Sequence, residues 1–129
     1  MTTENFDRGM AMRKQVLSPE HVERSLAASD EFSRPMQELV TEFCWGAVWA
    51  RPGLSPRDRS LINLSMIAAL GRNKELALHT KGALRNGVTT EEIQEVLLQI
   101  AVYCGFPAGL DSMSTVKAAI AEYEDETAK

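Results

Sequence analysis

Helix-boundary signals recur along the sequence, and they constrain the fold more than any other feature. Ser18 and Ser55 each stand directly before a proline, the pattern of an N-cap followed by the first helical residue. Residues 89–92, TTEE, have the T-x-x-E form of a capping box. No segment shows the alternation of apolar and polar residues that a half-buried strand needs. The sequence therefore predicts an all-α fold.

Apolar residues at spacings of three and four between these signals predict about six helices. The connection at Gly71 and Arg72 is short, so the third and fourth helices should form a central antiparallel hairpin. The third helix is apolar on most sides and is expected to be buried nearly all round. The polar residues after Glu122 are expected to fray. The predicted helices span residues 18–28, about 35–49, 55–71, 73–87, 89–105 and 106–122.

Composition limits the number of domains and the classes of partner. With 129 residues and 44% apolar residues, we expect one domain over residues 1–129. The net charge of −4 opposes binding to nucleic acid or to anionic membranes, since both require a basic surface. No apolar run is long enough to span a bilayer, and the charged N-terminus does not resemble a secretory signal, so we expect a cytoplasmic protein.

Cysteine and histidine usage argues against metal and disulfide chemistry. Cys44 and Cys104 lie far apart without a C-x-x-C spacing, and we expect both to be buried free thiols. Only two histidines are present, too few for a repeated helical ligand pattern. Phosphate-binding loops and serine-nucleophile motifs are also missing from the sequence. Neither a metal nor a cofactor is predicted.

The candidate catalytic residues are Arg72, Glu75 and His79, which share one face of the fourth helix because they are three and four residues apart. An imidazole held by a nearby carboxylate can act as an acid or electrophile near neutral pH. Taken singly, His79 also fits a packed, half-buried histidine, and Arg72 with Glu75 fits a weak ion pair. His21 lacks such neighbours and is interpreted as a surface residue.

Two aromatic residues are candidates for the wall of a binding pocket. Trp45 lies one turn from Trp49, and core packing is the alternative interpretation. Tyr103 stands near Gly105 at a helix end, where its hydroxyl could meet a ligand. Packing with a single hydrogen bond explains Tyr103 equally well.

Motifs along nearly the whole chain resemble those of the carboxymuconolactone decarboxylase family. The resemblance implies an AhpD-like helical fold and a cofactor-free carboxy-lyase in the protocatechuate branch of the β-ketoadipate pathway. It also implies a homo-oligomer, a trimer or hexamer. The matching segments are Trp45–Trp49 (WGAVW), Arg51–Leu54 (RPGL), Arg59–Ser60, Ala69–Arg72 (ALGR), Leu78–His79, Asn86–Thr89 (NGVT) and Tyr103–Ala108 (YCGFPA).

The reaction implied by this resemblance is decarboxylation of 4-carboxymuconolactone to the β-ketoadipate enol-lactone. Such a reaction needs a donor for the developing oxyanion, a proton source and cations for the carboxylates. We assign His79 to the oxyanion or proton-delivery role and Glu75 to orienting it. Arg72, with Arg59 or Arg85, is assigned to carboxylate anchoring, which suits a bidentate guanidinium.

Two departures from the family pattern keep other functions open. Ala47 stands where the decarboxylases usually have glutamate, and Leu110 stands where asparagine is common. Both changes remove polar groups, so the chain also fits a paralogue acting on another lactone or keto acid. A non-catalytic helical oligomer that binds a small ligand, with His79 simply packed, is the remaining alternative.

Arg72 and Glu75 occupy the positions of the redox cysteines in alkylhydroperoxidase D relatives, which excludes thiol-based peroxide reduction.

Overall fold

A computed structural model describes residues 3–129, and these residues form helices, turns and loops without any strand. The predicted all-α class is confirmed. Within this range, seven α-helices are accompanied by a π-helical segment, Val40–Trp49, which continues directly from the third of them. The α-helices are α1 (Thr3–Leu17), α2 (Pro19–Ala27), α3 (Arg34–Leu39), α4 (Pro56–Leu70), α5 (Asn73–Arg85), α6 (Thr90–Cys104) and α7 (Phe106–Thr127).

The described residues divide into two compact units, one up to Pro56 and one from Arg57 to Lys129. The first unit holds α1 to α3 and the π segment, and the second holds α4 to α7. The expectation of one domain over residues 1–129 stays a prediction. None of the helices in residues 3–129 is long and apolar enough to cross a membrane.

Two predicted helix starts are formed by the expected side chains. The hydroxyl of Ser18 accepts a hydrogen bond from the backbone N–H of His21 at 3.2 Å, at the start of α2. Thr89 and Glu92 form a complete capping box. The Thr89 hydroxyl accepts from the Glu92 N–H at 3.1 Å, and the Glu92 carboxylate accepts from the Thr89 N–H at 2.9 Å. These caps satisfy backbone N–H groups that a helix start leaves open.

The α1 helix is missing from the sequence prediction, which has about six helices. Its buried positions include Gly9, Arg13 and Val16, so the inward face lacks the continuous apolar stripe used to recognise a helix. The α1 helix crosses the π segment where Gly9 and Gly46 allow the two backbones to approach. A Cβ atom at Gly9 would overlap the carbonyl oxygen of Thr41, and one at Gly46 would overlap that of Asn5.

Arg13 connects the same two elements through a buried guanidinium. Nη1 donates to Thr41 Oγ1 at 3.1 Å, and Nη2 donates to Gln37 Oε1 at 2.8 Å. Burial lowers the pKa of Arg13, because the charged form is partly removed from water. These two hydrogen bonds compensate part of that cost.

The predicted apolar stripe over residues 35–49 is wrong in this structure. Met36, Leu39 and Phe43 are exposed. A π-helix makes i→i+5 hydrogen bonds and has a wider turn, so its buried face repeats at longer intervals than the three-and-four pattern of an α-helix. The buried positions of the segment are two adjacent pairs that lie four residues apart, followed by a single residue: Thr41 and Glu42, Trp45 and Gly46, and Trp49.

The second unit packs its helices around one apolar core. Leu64 of α4, Leu76 of α5, Ile93 of α6 and Val116 of α7 are almost fully buried in this cluster. The connection between α4 and α6 is reinforced by Arg57, whose guanidinium contacts Glu92. One carboxylate of Glu92 therefore serves both the α6 cap and this cross-helix ion pair.

The α4 helix is buried on one side only, which corrects the prediction of burial nearly all round. Ser60, Leu64 and Ala68 are its buried residues. Ile62 and Met66, one turn apart on another face, are exposed.

The expectation of buried thiols is also wrong, since Cys44 and Cys104 are both exposed.

The last helix continues beyond the point where fraying was expected. α7 reaches Thr127, and its final turns are attached to α5 by Lys81. The Lys81 ammonium lies 3.1 Å from Glu122 and 2.9 Å from Glu126. These two carboxylates raise the pKa of Lys81 against the opposing effect of its partial burial. The polar end of α7 therefore has a charged partner on a neighbouring helix.

Candidate active site

Two polar contacts connect α4 with α5 and with Asn86, the C-cap residue of α5, inside the second unit. Nδ2 of Asn63 lies 3.2 Å from Nδ1 of His79. Farther along the same pair of helices, Nδ2 of Asn86 donates to Oγ of Ser60 at 2.9 Å. Polar groups removed from water in this way normally require such partners. Together the four residues form a polar seam, a name used below for Ser60, Asn63, His79 and Asn86.

His79 is the titratable residue of this seam. It is buried, with only 8% of its surface exposed. Burial lowers the pKa of His79 to about 4, because the charged imidazolium loses hydration. His79 is therefore neutral near pH 7. A neutral imidazole can donate a hydrogen bond from one nitrogen while the other accepts.

Arg72 and Glu75 share the helical side of His79 but lie outside the buried seam. Both residues are exposed, with Arg72 at the N-cap of α5 and Glu75 in its first turn. Within residues 3–129, Glu75 makes no hydrogen bond or ion pair with His79. The expected orientation of His79 by Glu75 is therefore not found, and Asn63 is the residue that meets Nδ1 of the ring.

Arg59 and Arg85 lie at the same end of the α4–α5 pair. Each is the chain neighbour of one member of the Ser60–Asn86 contact, and both are half-buried. Arg59 precedes Asn63 by one helical turn, about 6 Å along α4. The Arg85 guanidinium lies over the ring of Tyr123, 5.6 Å from its centroid. The backbones of both arginines therefore lie at the end of the seam that holds the Ser60–Asn86 contact.

The two predicted aromatic site residues occupy different surroundings. Trp45, in the first unit, is 3% exposed and stacks on Trp49 with ring centroids 4.8 Å apart. Tyr103, at the end of α6, is 71% exposed. No group of three His, Cys, Asp or Glu side chains suited to a metal ion occurs in the described part of the chain.

Asn63 is the site residue that sequence reasoning missed. It interrupts the apolar run of residues 61–64, LINL, in the middle of a helix. Asparagine is a poor helix former and requires hydrogen-bond partners when it is removed from water. That local conflict is a signal in the sequence for a specific polar contact, although it does not identify the partner.

Residues 34–118 match the family model of the carboxymuconolactone decarboxylase family. The chain belongs to this family. The resemblance seen in the sequence motifs is thereby confirmed, and the described helical architecture agrees with the predicted all-α fold. The family match covers the π segment, the α4–α5 pair and α6, and it includes every residue of the polar seam.

Two relatives of this chain have names that state an activity. Nitrosuccinic acid decarboxylase npaB of Metarhizium robertsii is 46% identical over 121 residues, covering 94% of this chain and 85% of the relative. The 4-carboxymuconolactone decarboxylase of Acinetobacter baylyi is 38% identical over 110 residues, covering 85% of this chain and 82% of the relative. Both names are those of carboxy-lyases, the predicted enzyme class, but they specify different substrates.

Proposed function

We propose that the protein is a carboxy-lyase that needs no cofactor and acts on a small dicarboxylic acid, with nitrosuccinic acid as the first candidate substrate. The 46% identity to the relative named for that acid favours it over 4-carboxymuconolactone, whose named relative is 38% identical. Ala47 and Leu110, which depart from the usual pattern of the lactone decarboxylases, point the same way. The lactone is the second candidate and corresponds to the sequence prediction.

Both candidate substrates lose carbon dioxide by the same electronic route. In nitrosuccinate, breaking the bond between C2 and its carboxylate sends the electron pair into the nitro group and gives a nitronate. Protonation of that carbon then gives 3-nitropropanoate. In the lactone, the electron pair flows through the ring double bond into the lactone carbonyl and gives a dienolate. Each route requires stabilisation of oxygen atoms that become negative as the bond breaks.

The observation that supports this proposal is the buried, neutral imidazole of His79. With its pKa lowered to about 4, His79 is an uncharged hydrogen-bond donor at neutral pH. Such a donor interacts more strongly with the developing oxyanion than with the neutral acceptor group of the substrate, which lowers the barrier. The hydrogen-bond donor of His79 is therefore suited to stabilising the negative oxygen of the transition state.

The second carboxylate of either substrate requires a cation. We assign this role to Arg59 and Arg85, because both are half-buried at one end of the α4–α5 pair. Arg72 is less suitable, since it is exposed at the start of α5. A guanidinium can bind the retained carboxylate through two parallel hydrogen bonds and so hold the substrate in a fixed orientation, which also sets the direction of the departing carboxylate.

Measurement of carbon dioxide release tests the proposal. Purified protein is given nitrosuccinic acid or freshly generated 4-carboxymuconolactone, and the organic product is identified by NMR. His79→Ala should lower kcat by about 100-fold or more. His21→Ala is the matched control, because it removes the other histidine, which contacts Ser25 on α2. Unchanged turnover in His79→Ala would reject the role of His79, and no release from either acid would favour a non-catalytic binding protein.

We further propose that the protein is a homo-oligomer. Several large apolar side chains of the second unit are exposed, including Met66 and Leu70 on α4 and Val102, Phe106 and Leu110 on α6 and α7. Exposed apolar surface of this extent is typical of protein interfaces. Self-association would cover it and add to the stability of each subunit.

A further inference from the structure

The chemistry of the two atoms that meet gives the contact between Asn63 and His79 a direction. The atom that faces the ring is the amide nitrogen of Asn63, 3.2 Å from Nδ1. An amide NH₂ group can donate hydrogen bonds but cannot accept them. Nδ1 must therefore be the accepting, unprotonated nitrogen of the ring, and the hydrogen of the neutral imidazole must be on Nε2.

We propose that Asn63 is a positioning residue that holds His79 in the tautomer with its hydrogen on Nε2. This inference deepens the proposed function and rests on it, since the tautomer decides which ring nitrogen of His79 can donate a hydrogen bond. Asn63 contacts neither substrate nor reacting atoms in this proposal and acts only through the imidazole.

Three features of the structure support this role. Asn63 stands in the middle of α4, where a polar side chain needs a reason to be half-buried. Its partner is 16 residues away on another helix, so the contact fixes the rotation of the ring as well as its tautomer. A donor at Nδ1 also opposes protonation of that nitrogen, and so acts in the same direction as the burial of His79.

The tautomer can be measured directly, without any substrate. Protein labelled with ¹⁵N in histidine contains two imidazoles, those of His21 and His79. A long-range ¹H–¹⁵N correlation spectrum distinguishes a protonated ring nitrogen from a bare one, and the His21→Gln variant assigns the two rings. We expect the ring of His79 to be protonated at Nε2 in the wild type. A hydrogen on Nδ1 would overturn the proposal.

Two substitutions at position 63 test cause and effect. Asn63→Asp has nearly the same shape but presents only acceptors, so it should move the hydrogen to Nδ1. Asn63→Leu keeps the side-chain volume and removes the donor, and it should lower kcat by about tenfold or more with a smaller change in KM. An unaltered tautomer in Asn63→Asp, or an unaltered kcat in Asn63→Leu, would contradict the positioning role.

Lys81→Met is the matched control for loss of a polar contact between α5 and a neighbouring helix. It removes the ion pairs with Glu122 and Glu126 of α7 and leaves the Asn63–His79 pair in place. The tautomer and kcat should stay at their wild-type values. If the wild type decarboxylates neither candidate acid, the proposed function fails, whereas the NMR spectra still decide whether Asn63 sets the tautomer of His79.

Discussion

Acid should destabilise the folded protein through the protonation of one residue, His79. The pKa of a histidine in an unfolded chain is about 6.5, whereas burial lowers the pKa of His79 to about 4 in the folded state. Since the folded pKa is the lower one, protonation favours the unfolded chain. The stability that depends on neutral His79 is complete above about pH 6.5 and is lost as the pH falls through about 4.

The size of this effect follows from the gap between the two pKa values. At about 1.4 kcal/mol for each tenfold change in proton affinity, the gap corresponds to about 3 kcal/mol of unfolding free energy. This is a large part of the 5–15 kcal/mol that is typical of a folded protein. The loss should begin near pH 6.5 and level off below about pH 4.

Urea unfolding at a series of pH values, followed by circular dichroism, measures this dependence. Other groups also titrate in acid, so the decisive quantity is the difference between wild type and His79→Gln, which cannot be protonated there. That difference should change by about 3 kcal/mol between pH 7 and pH 4. His21→Gln, which retains His79, should show the wild-type dependence. Parallel curves for wild type and His79→Gln would refute the reasoning.

Three further predictions concern packing and association. Gly9→Ala should lower the unfolding free energy by about 1–3 kcal/mol in urea titrations, because its methyl group would overlap the Thr41 carbonyl oxygen, whereas Gly53→Ala has open space around it and should be nearly neutral. Leu64→Ala should cost about 2–5 kcal/mol in the same assay, since Leu64 is 1% exposed in the core, and a cost below that range would place its packing in doubt. Met66→Asp should reduce the mass measured by light scattering if α4 lies in a subunit interface, and an unchanged mass would exclude Met66 from it.

Local signals were sufficient to predict much of the helical architecture. The caps at Ser18 and Thr89 depend on residues within three positions of each other, so the sequence alone specifies them. The start of α4 at Pro56 could be predicted for the same reason. His79 could likewise be identified as a candidate, because the sequence contains only two histidines.

The partner of His79 could not be read from spacing along one helix. Glu75 is closer in sequence, but Asn63 meets the ring because α4 is packed against α5 with a particular rotation. That rotation depends on the packing of the whole core. The π segment was unpredictable for a related reason. Its wider turn is favoured by tertiary contacts such as the Gly9–Gly46 crossing, whereas residue propensities favour the ordinary helix.

The shared carboxylate of Glu92 links two levels of folding. Its hydrogen bond to Thr89 spans three residues and can form as soon as the first turn of α6 forms. Its contact with Arg57 spans 35 residues and can form only after α4 has packed against α6. Removing the carboxylate would therefore weaken helix initiation and long-range assembly together. In a double-mutant cycle, substitutions at positions 57 and 89 should not be additive, because each alters the anchoring of the same side chain.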